Sequence, residues 1–319
     1  MRVARALVTG GAGYIGSHLV DRLMEQEWRV RVVDNLSSGS RRNIQRWFDH
    51  PRFEFLVGDL KDAGLVERST SDVEMVFHLA SNPEVRVGEV DPSVHFRENL
   101  LATFNVLEAM RESGKAKTIV YYSTSTVYGE PELLPTPEDY GPLLPISTYG
   151  ASKLGSEALI SAYCHTFDLR ALILRVANVV GGRQSHGVIV DFIRKLRDNP
   201  KRLEILGDGT QKKSYLFIDD CIDATLIALE RFAAQDRSTE VYNIGSPDQV
   251  GVRRIAEIII EEMGLKDVKL EFLGGPEGRG WKGDVKTMML SVDKIARIGW
   301  RPRYSSEEAV KVASRQLLG

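Results

Sequence analysis

The stretch "TGGAGYIGSHLV" at residues 9–20 decides the fold of this chain. It follows a short β-rich run and opens a segment in which apolar residues recur at helical spacing. Glycines at such a turn permit a tight bend and let backbone N–H groups approach a pyrophosphate at the helix N-terminus. Because Gly11-x-Gly13-x-x-Gly16 has the spacing of the dinucleotide fingerprint, and Gly10 adds to it, the stretch predicts a dinucleotide site.

Strand-like and helical segments alternate from this turn to residue 178. The predicted strands are 4–9, 28–34, 53–59, 73–80, 117–125 and 169–178, and the main helices are 14–26, 99–114 and 147–167. Most of these strands are apolar throughout, which is typical of a parallel sheet covered by helices on both faces. We therefore predict an α/β fold with a doubly wound parallel sheet of the Rossmann type.

The alternation weakens beyond residue 178, where glycine and proline become frequent. We predict a nucleotide-binding domain at 1–178 and a smaller, irregular and mainly substrate-binding domain at 179–319. The two are expected to interleave, because a strand and a helix at 214–230 indicate that 214–245 returns to the first domain.

Composition excludes several classes of partner. The 319 residues carry a net charge of −2, so no strong attraction to nucleic acid or membranes is expected. No apolar run reaches membrane-spanning length and no signal peptide is evident, so we expect a cytoplasmic protein.

The two cysteines, Cys164 and Cys221, lie in apolar helical stretches and are predicted to be buried free thiols. The six histidines form no ligand pattern, so no metal is expected.

Acidic residues end the second and third predicted strands. Asp34 lies 18 residues past Gly16, where a carboxylate accepts hydrogen bonds from ribose hydroxyls and repels a 2′-phosphate. This favours NAD, although Arg41 and Arg42, beyond the next turn, leave NADP as an alternative. Asp59 is expected to border the adenine, to cap the following helix, or to do both.

The pair Tyr149 and Lys153, in "YGASK", lies one turn apart on the same helix face. Hydroxyl residues at 122–129 follow the fifth strand, so a serine or threonine can converge with the pair beside the cofactor. The lysine ammonium and the nicotinamide cation of a bound cofactor both stabilise a phenolate, which predicts a lowered pKa for Tyr149 and a role as acid/base towards a substrate alcohol.

Further motifs extend the pattern over essentially the whole chain; they read "VVDNLSSG", "GDL", "HLAS", "STSTVYG" and "LRVANVVGGRQ". With the glycine turn and the Tyr-Lys pair, they make the chain resemble the extended short-chain dehydrogenases/reductases. The likeness is to the NAD-dependent epimerase/dehydratase family, and most closely to the UDP-glucose (UDP-galactose) 4-epimerases within it.

The resemblance implies a role for individual residues. Thr124 is the expected catalytic hydroxyl, Tyr149 the acid/base, and Lys153 its partner, which also contacts the nicotinamide ribose. Asn178 is expected to contact the UDP diphosphate. The positions expected to bind the cofactor are Gly10, Gly13, Tyr14, Ile15, Gly16, Asp34, Asn35, Ser37, Ser38, Gly39, Asp59, Leu60, Leu79, Ala80, Asn99, Tyr149 and Lys153.

The resemblance is looser in the C-terminal part. Lys213 and Arg279 are expected to bind the phosphates or ribose of the nucleotide. Trp281 stands where an arginine is frequent, which leaves Arg279 and Lys282 as alternatives for the diphosphate. Met288 falls where the family varies a residue of the sugar pocket wall.

The residues after Thr124 distinguish among the family's reactions. Related 4,6-dehydratases carry Asp-Glu there, and related decarboxylases a Glu at the second position; this chain has Ser125 and Thr126. The resemblance therefore implies 4-epimerisation of a UDP-sugar through a 4-keto intermediate, with UDP-glucose/UDP-galactose favoured. UDP-N-acetylglucosamine, UDP-glucuronate, a nucleotide-sugar reductase and a non-catalytic NAD sensor remain alternatives, although such sensors tend to lose the Tyr-Lys pair.

The resemblance also implies a homodimer, formed through the helices at 99–113 and 150–166. Apolar residues on these helices would suit an internal core equally well. They include Leu100, Leu107, Leu159 and Tyr163.

Overall fold

A seven-stranded parallel sheet forms the centre of the computed structural model, which describes residues 5–319. The strands of the chain are β1 (Arg5–Thr9), β2 (Arg29–Asp34), β3 (Phe53–Val57), β4 (Met75–His78), β5 (Thr118–Thr124), β6 (Arg170–Val176), β7 (Asn178–Val180), β8 (Arg202–Ile205), β9 (Lys212–Lys213), β10 (Tyr215–Phe217), β11 (Thr239–Ile244), β12 (Val250–Gly251), β13 (Lys269–Phe272) and β14 (Thr287–Met288). The central sheet has the order β11-β6-β5-β4-β1-β2-β3. The order reverses between β1 and β4, where the strand ends leave a crevice. The predicted α/β fold is confirmed.

Helices connect the strands. They are α1 (Tyr14–Glu25), α2 (Ala63–Thr70), α3 (Val87–Val90), α4 (Ser93–His95), α5 (Ala102–Ser113), α6 (Thr148–Phe167), α7 (Val188–Asp198), α8 (Ile218–Ala233), α9 (Val252–Glu262), α10 (Asp293–Ala296) and α11 (Ser306–Leu318). Short 3₁₀ turns occupy Arg41–Asn43, Gln45–Trp47, Ser125–Tyr128 and Pro276–Gly278, and a π-helical turn occupies Phe96–Leu101.

The central sheet is buried on both faces. Side chains of a strand alternate between faces, so Ala6 and Val8 of β1 join one hydrophobic core whereas Leu7 joins another. Helices α1 and α8 contribute to the first core, and α5 and α6 to the second. This is why these strands are apolar throughout instead of alternating with polar residues.

The C-terminal part is more regular than predicted. Three small sheets pair β7 with β10, β8 with β13, and β9 with both β12 and β14. The amphipathic helices α7, α9 and α11 pack against one another. The predicted strand at the start of 214–230 is β10, which lies outside the central sheet. The seventh strand of that sheet is β11, which lies within 214–245 but was not itself predicted as a strand. The division into domains remains a prediction.

The helix predicted at 99–114 begins later, at Ala102, after the π-helical turn. It ends as predicted at Gly114, which has a φ of 63° in the left-handed region. Leu107 is fully buried in the core of the chain itself. Cys164 and Cys221 are buried free thiols, as predicted.

Within residues 5–319, no helix is both long and apolar enough to cross a membrane. The same residues contain no group of three or more histidine, cysteine or acidic side chains that could hold a metal ion.

Candidate active site

A cleft of about 710 Å³ runs along the carboxyl ends of the central strands and continues into the C-terminal part. Most residues that the sequence assigned to the site line it. They are Gly10, Gly13, Tyr14, Ile15, Gly16, Asp34, Asn35, Ser37, Ser38, Asp59, Leu60, Leu79, Ala80, Thr124, Tyr149, Lys153, Asn178 and Lys213. The fold therefore gathers, in one cavity, residues from positions 10 to 213 of the chain.

The glycine turn is shaped by close backbone contacts. Gly10 has a φ of +68°, and its N–H donates to Val33 O at 2.8 Å. A Cβ added at Gly16 would lie 2.2 Å from Gly10 O, so no side chain fits there. Helix α1 starts after Gly13 without a capping side chain, which leaves its N-terminal N–H groups for a ligand phosphate. This turn fits a dinucleotide.

Asp34 is buried behind the turn. Its Oδ2 accepts from Ala12 N at 2.9 Å and its Oδ1 accepts from Leu36 N at 2.8 Å. Burial raises the pKa of this carboxyl, while these backbone hydrogen bonds act in the opposite direction. The carboxylate thus fixes the glycine turn and also faces the cleft, where the sequence predicts that it accepts hydrogen bonds from the ribose.

Asp59 borders the cleft without capping a helix. It accepts from Asn35 Nδ2 at 3.0 Å and from Lys61 N at 2.9 Å. Helix α2 is capped instead by Asp62, whose side chain accepts from Leu65 N at 3.1 Å. The capping alternative for Asp59 is therefore wrong.

Tyr149 and Lys153 face the cleft from the first turns of α6, which begins after the N-cap Ser147. Burial raises the pKa of Tyr149 to about 12, and a hydrogen bond with Thr124 only partly opposes it. Burial also lowers the pKa of Lys153 to about 7, against the attraction of Glu157. These directions hold for the protein without its cofactor, where burial dominates; the lowering of the Tyr149 pKa by Lys153 and the nicotinamide cation together stays a prediction.

Gly39 and Asn99, both assigned to the cofactor, lie outside the cleft lining. A Cβ at Gly39 would meet Asp34 Oδ1 at 2.9 Å, so Gly39 packs behind the turn. Asn99 is 1% exposed; its Nδ2 donates to Ser152 Oγ at 3.0 Å and its Oδ1 accepts from Asn82 N at 2.7 Å. Its amide is used inside the protein.

Arg279 also lies outside the lining. Its guanidinium forms an ion pair with Glu130 and donates to Asp284 O at 2.8 Å. Lys213 does line the cleft, with its Nζ 2.7 Å from Asp284 Oδ1. Met288 is 2% exposed, and it packs in a core cluster instead of the pocket wall expected from the sequence.

The sequence did not predict a cationic aromatic group in the cleft. Arg86 and Lys213 both lie over the ring of Trp281, at 5.7 and 5.8 Å from its centroid. All three line the cleft, as does Glu84, which is paired with Arg86. These residues are far apart along the chain, and no local pattern marked Arg86.

Four buried polar atoms of cleft-lining residues have no hydrogen-bond partner within residues 5–319 and suit ligand contacts. They are Tyr14 Oη, Gln184 Oε1, Gln211 Oε1 and Trp281 Nε1. By contrast, every carboxylate that lines the cleft has a partner in the chain. These are Asp34, Asp59, Glu84, Glu98, Asp191 and Asp284.

A Rossmann-like sheet with a glycine turn, an acidic residue after β2 and a Thr-Tyr-Lys group defines a nucleotide-dependent enzyme of the short-chain type. Residues 6–245 match the model of the NAD dependent epimerase/dehydratase family, and the chain belongs to that family. NAD is accordingly its cofactor.

Individual relatives cover nearly the whole chain. A crystal structure of a UDP-galactose 4-epimerase is 46% identical, covers 98% of both chains and superposes with a TM-score of 0.89. The UDP-glucose 4-epimerase of Thermotoga maritima, solved with UDP-glucose, is 32% identical, covers 98% of both chains and has a TM-score of 0.87. The UDP-glucose 4-epimerase of Mycolicibacterium smegmatis is 32% identical over 313 residues, 96% of each chain.

Proposed function

We propose that this protein is a UDP-sugar 4-epimerase that interconverts UDP-glucose and UDP-galactose. The observation that carries the proposal is the convergence of Thr124, Tyr149 and Lys153 in one NAD-type cleft, with hydroxyls at Ser125 and Thr126 beside them. An elimination needs an acid and a base beside Thr124, and the two positions that follow it carry hydroxyls, which are too weak for either role. Epimerisation needs none beyond the tyrosine.

The chain's own residues provide the proton chemistry. When bound, NAD supplies hydride removal from and return to C4 of the sugar. Tyr149 Oη takes the proton of the 4-hydroxyl and later returns it, and Thr124 Oγ1 hydrogen-bonds the same oxygen. Since burial holds the pKa of Tyr149 near 12, a positive charge beside the phenol is needed to make it a base. Lys153 supplies part of that charge.

The substrate end of the cleft suits a nucleoside diphosphate sugar. Lys213 and Arg86 bring positive charge to the diphosphate, and Asn178 adds an amide. The 4-keto sugar turns over between the two hydrogen transfers, which requires a sugar subsite that tolerates two orientations. The relatives' names favour UDP-glucose and UDP-galactose; UDP-N-acetylglucosamine and UDP-glucuronate are the alternatives.

The proposal includes a homodimer. It is supported by Phe104 of α5 and Phe167 of α6, which are 39% and 38% exposed although large and apolar. Both contact Tyr163, at ring centroid distances of 6.5 and 5.0 Å.

The purified protein should convert UDP-galactose to UDP-glucose without added cofactor, as followed by chromatography of the nucleotide sugars. Parallel incubations with UDP-N-acetylgalactosamine and UDP-glucuronate rank the substrates. Release of a 4-keto or dehydrated sugar would contradict epimerisation. Conversion of only an alternative sugar would keep the reaction and change the substrate.

A further inference from the structure

His95 lies between the cleft wall, defined here as residues 81–86, and the catalytic helix α6. The ring is completely buried. Its Nε2 is 3.1 Å from Glu84 O, and its Nδ1 is 2.8 Å from Thr148 Oγ1. Because a carbonyl oxygen only accepts, Nε2 carries the proton, and Nδ1 of the neutral ring accepts from the threonine hydroxyl. Burial lowers the pKa of His95, which favours this neutral form.

Asn99 makes a second bridge of the same kind. It accepts from Asn82 N at 2.7 Å on the wall and donates to Ser152 Oγ at 3.0 Å on α6. His95 and Asn99 are four residues apart, and so are their helix partners, Thr148 and Ser152. Both bridges therefore join the same two surfaces, one turn above the other.

The helix partners directly precede the two catalytic candidates in sequence. Thr148 is followed by Tyr149, and Ser152 by Lys153. The His95 ring also meets the Tyr149 ring edge-on, with centroids 5.7 Å apart. The packing is tight here, since a Cβ added at Gly88 would lie 2.0 Å from Thr148 Oγ1. A shift of the wall would therefore be transmitted to the phenol.

We propose that His95 is a positioning residue that fixes the cleft wall against Tyr149, with Asn99 as its counterpart beside Lys153. The inference rests on the proposed function insofar as Tyr149 is the acid/base. The wall contributes Ser81, Glu84 and Arg86 to the cleft lining, so the bridge sets the position of substrate-facing groups and of the phenol together.

The bridge is tested with His95→Phe, which keeps a ring and loses both hydrogen bonds, and Thr148→Val, which removes one partner at an exposed position. We expect His95→Phe to lower kcat by about tenfold or more, because small displacements of a catalytic group are costly. The double variant should lose no more activity than His95→Phe alone, since the hydrogen bond that Thr148→Val removes is already absent in His95→Phe. His95→Gln, which restores a donor towards Glu84 O, should recover part of the rate.

Hydrogen exchange separates this inference from the proposed function, because it does not require activity. In His95→Phe, amides at 81–90 should exchange faster while those of β1 and β5 stay protected. His165→Phe, at an exposed position of α6, is the matched control and should leave rate and exchange unchanged. Unchanged hydrogen exchange at 81–90 in His95→Phe would overturn the positioning role. So would faster exchange throughout the chain, because general unfolding would then explain the loss of kcat. A wild type inactive on every UDP-sugar would contradict only the proposed function.

Discussion

The glycine-turn half of the cleft is shaped by backbone packing, whereas the C-terminal half is shaped by ion pairs between side chains. Gly10 and Gly16 approach neighbouring backbone atoms so closely that no Cβ fits. Lys213, by contrast, is held by Asp284 in the cleft lining, and Arg279 is held by Glu130 outside it. Packed backbone offers its N–H groups to a ligand without rearranging. Ion-paired side chains must share or exchange their partners when a charged ligand binds, so the C-terminal half of the cleft can adapt to different sugars.

The largest effect is expected where the first half is most tightly packed. Gly16→Ala places a Cβ against Gly10 O, so the turn must move and the purified variant should contain no NAD and show no activity. The NAD content is measured by denaturing the purified protein and quantifying the nucleotide that it releases. Gly64→Ala is the control, since the nearest atom to its added Cβ lies 3.4 Å away. A Gly16→Ala protein with a full complement of NAD would refute the close-packing explanation.

The second largest effect is expected at Tyr149, which lies where the two halves of the cleft meet. Tyr149→Phe removes only the phenolic oxygen, and kcat should fall by about 10²- to 10⁴-fold while NAD stays bound. Tyr163→Phe removes another hydroxyl of the same helix, one that donates to Glu108 Oε1 at 2.6 Å. It should retain kcat within about twofold. Equal losses in the two variants would show a general effect on α6 instead of acid/base chemistry.

The two ion-paired cations of the C-terminal part, Lys213 and Arg279, should differ in their contribution to UDP binding. Lys213→Met should weaken UDP binding by about ten- to a hundredfold, because Lys213 lines the cleft and a charged hydrogen bond is lost. Arg279→Met removes the same charge outside the lining and should change binding by only about twofold. Titration calorimetry with UDP compares them. The opposite ranking would support the sequence-based assignment of Arg279 to the diphosphate.

The smallest effect concerns the charge on Lys153. Its pKa is about 7 in the folded protein and 10.5 in an unperturbed lysine, so the unfolded state holds more protons between these values. The free energy of unfolding of the nucleotide-free protein should therefore rise with pH there, by up to about 1.4 kcal/mol per unit. Lys153→Met should lack this component. Urea denaturation between about pH 7 and 9 provides the comparison, and parallel curves for the two proteins would contradict the lowered pKa.

The same contrast explains what could be read from the sequence. The glycine turn, the strand ends and the Tyr149-Lys153 pair are local patterns, and the structure brings them into one cleft. The pairing of Glu130 with Arg279 joins residues 149 positions apart and leaves no local signal. The same holds for Arg86 over Trp281. The burial that raises the pKa of Tyr149 in the protein without its cofactor likewise leaves no local signal, because burial is a property of the packed fold and not of residue spacing.

Contacts inside the protein are hidden from the sequence for a related reason. The assignment of Asn99 to the cofactor stays a prediction, and its amide joins Asn82 to Ser152, which no local pattern indicates. Strand β11 is a run of only six residues that carries no catalytic motif, although Gly245 and Pro247 follow it as turn signals. Helix α7 directly follows "GGRQSHG", and α9 and α11 lie on either side of "FLGGPEGRGWKGD"; both glycine-rich segments suggest irregular structure.

The most direct measurement follows the hydrogen at C4 of the sugar. UDP-galactose deuterated at C4 is incubated with the protein in ordinary water containing unlabelled NAD and NADH, and the UDP-glucose formed is examined by mass spectrometry and NMR. If the hydride leaves and returns within one cleft while Tyr149 handles only the hydroxyl proton, the product will keep its deuterium at C4. Loss of the label to water, to free NADH or to another carbon would contradict 4-epimerisation by this site.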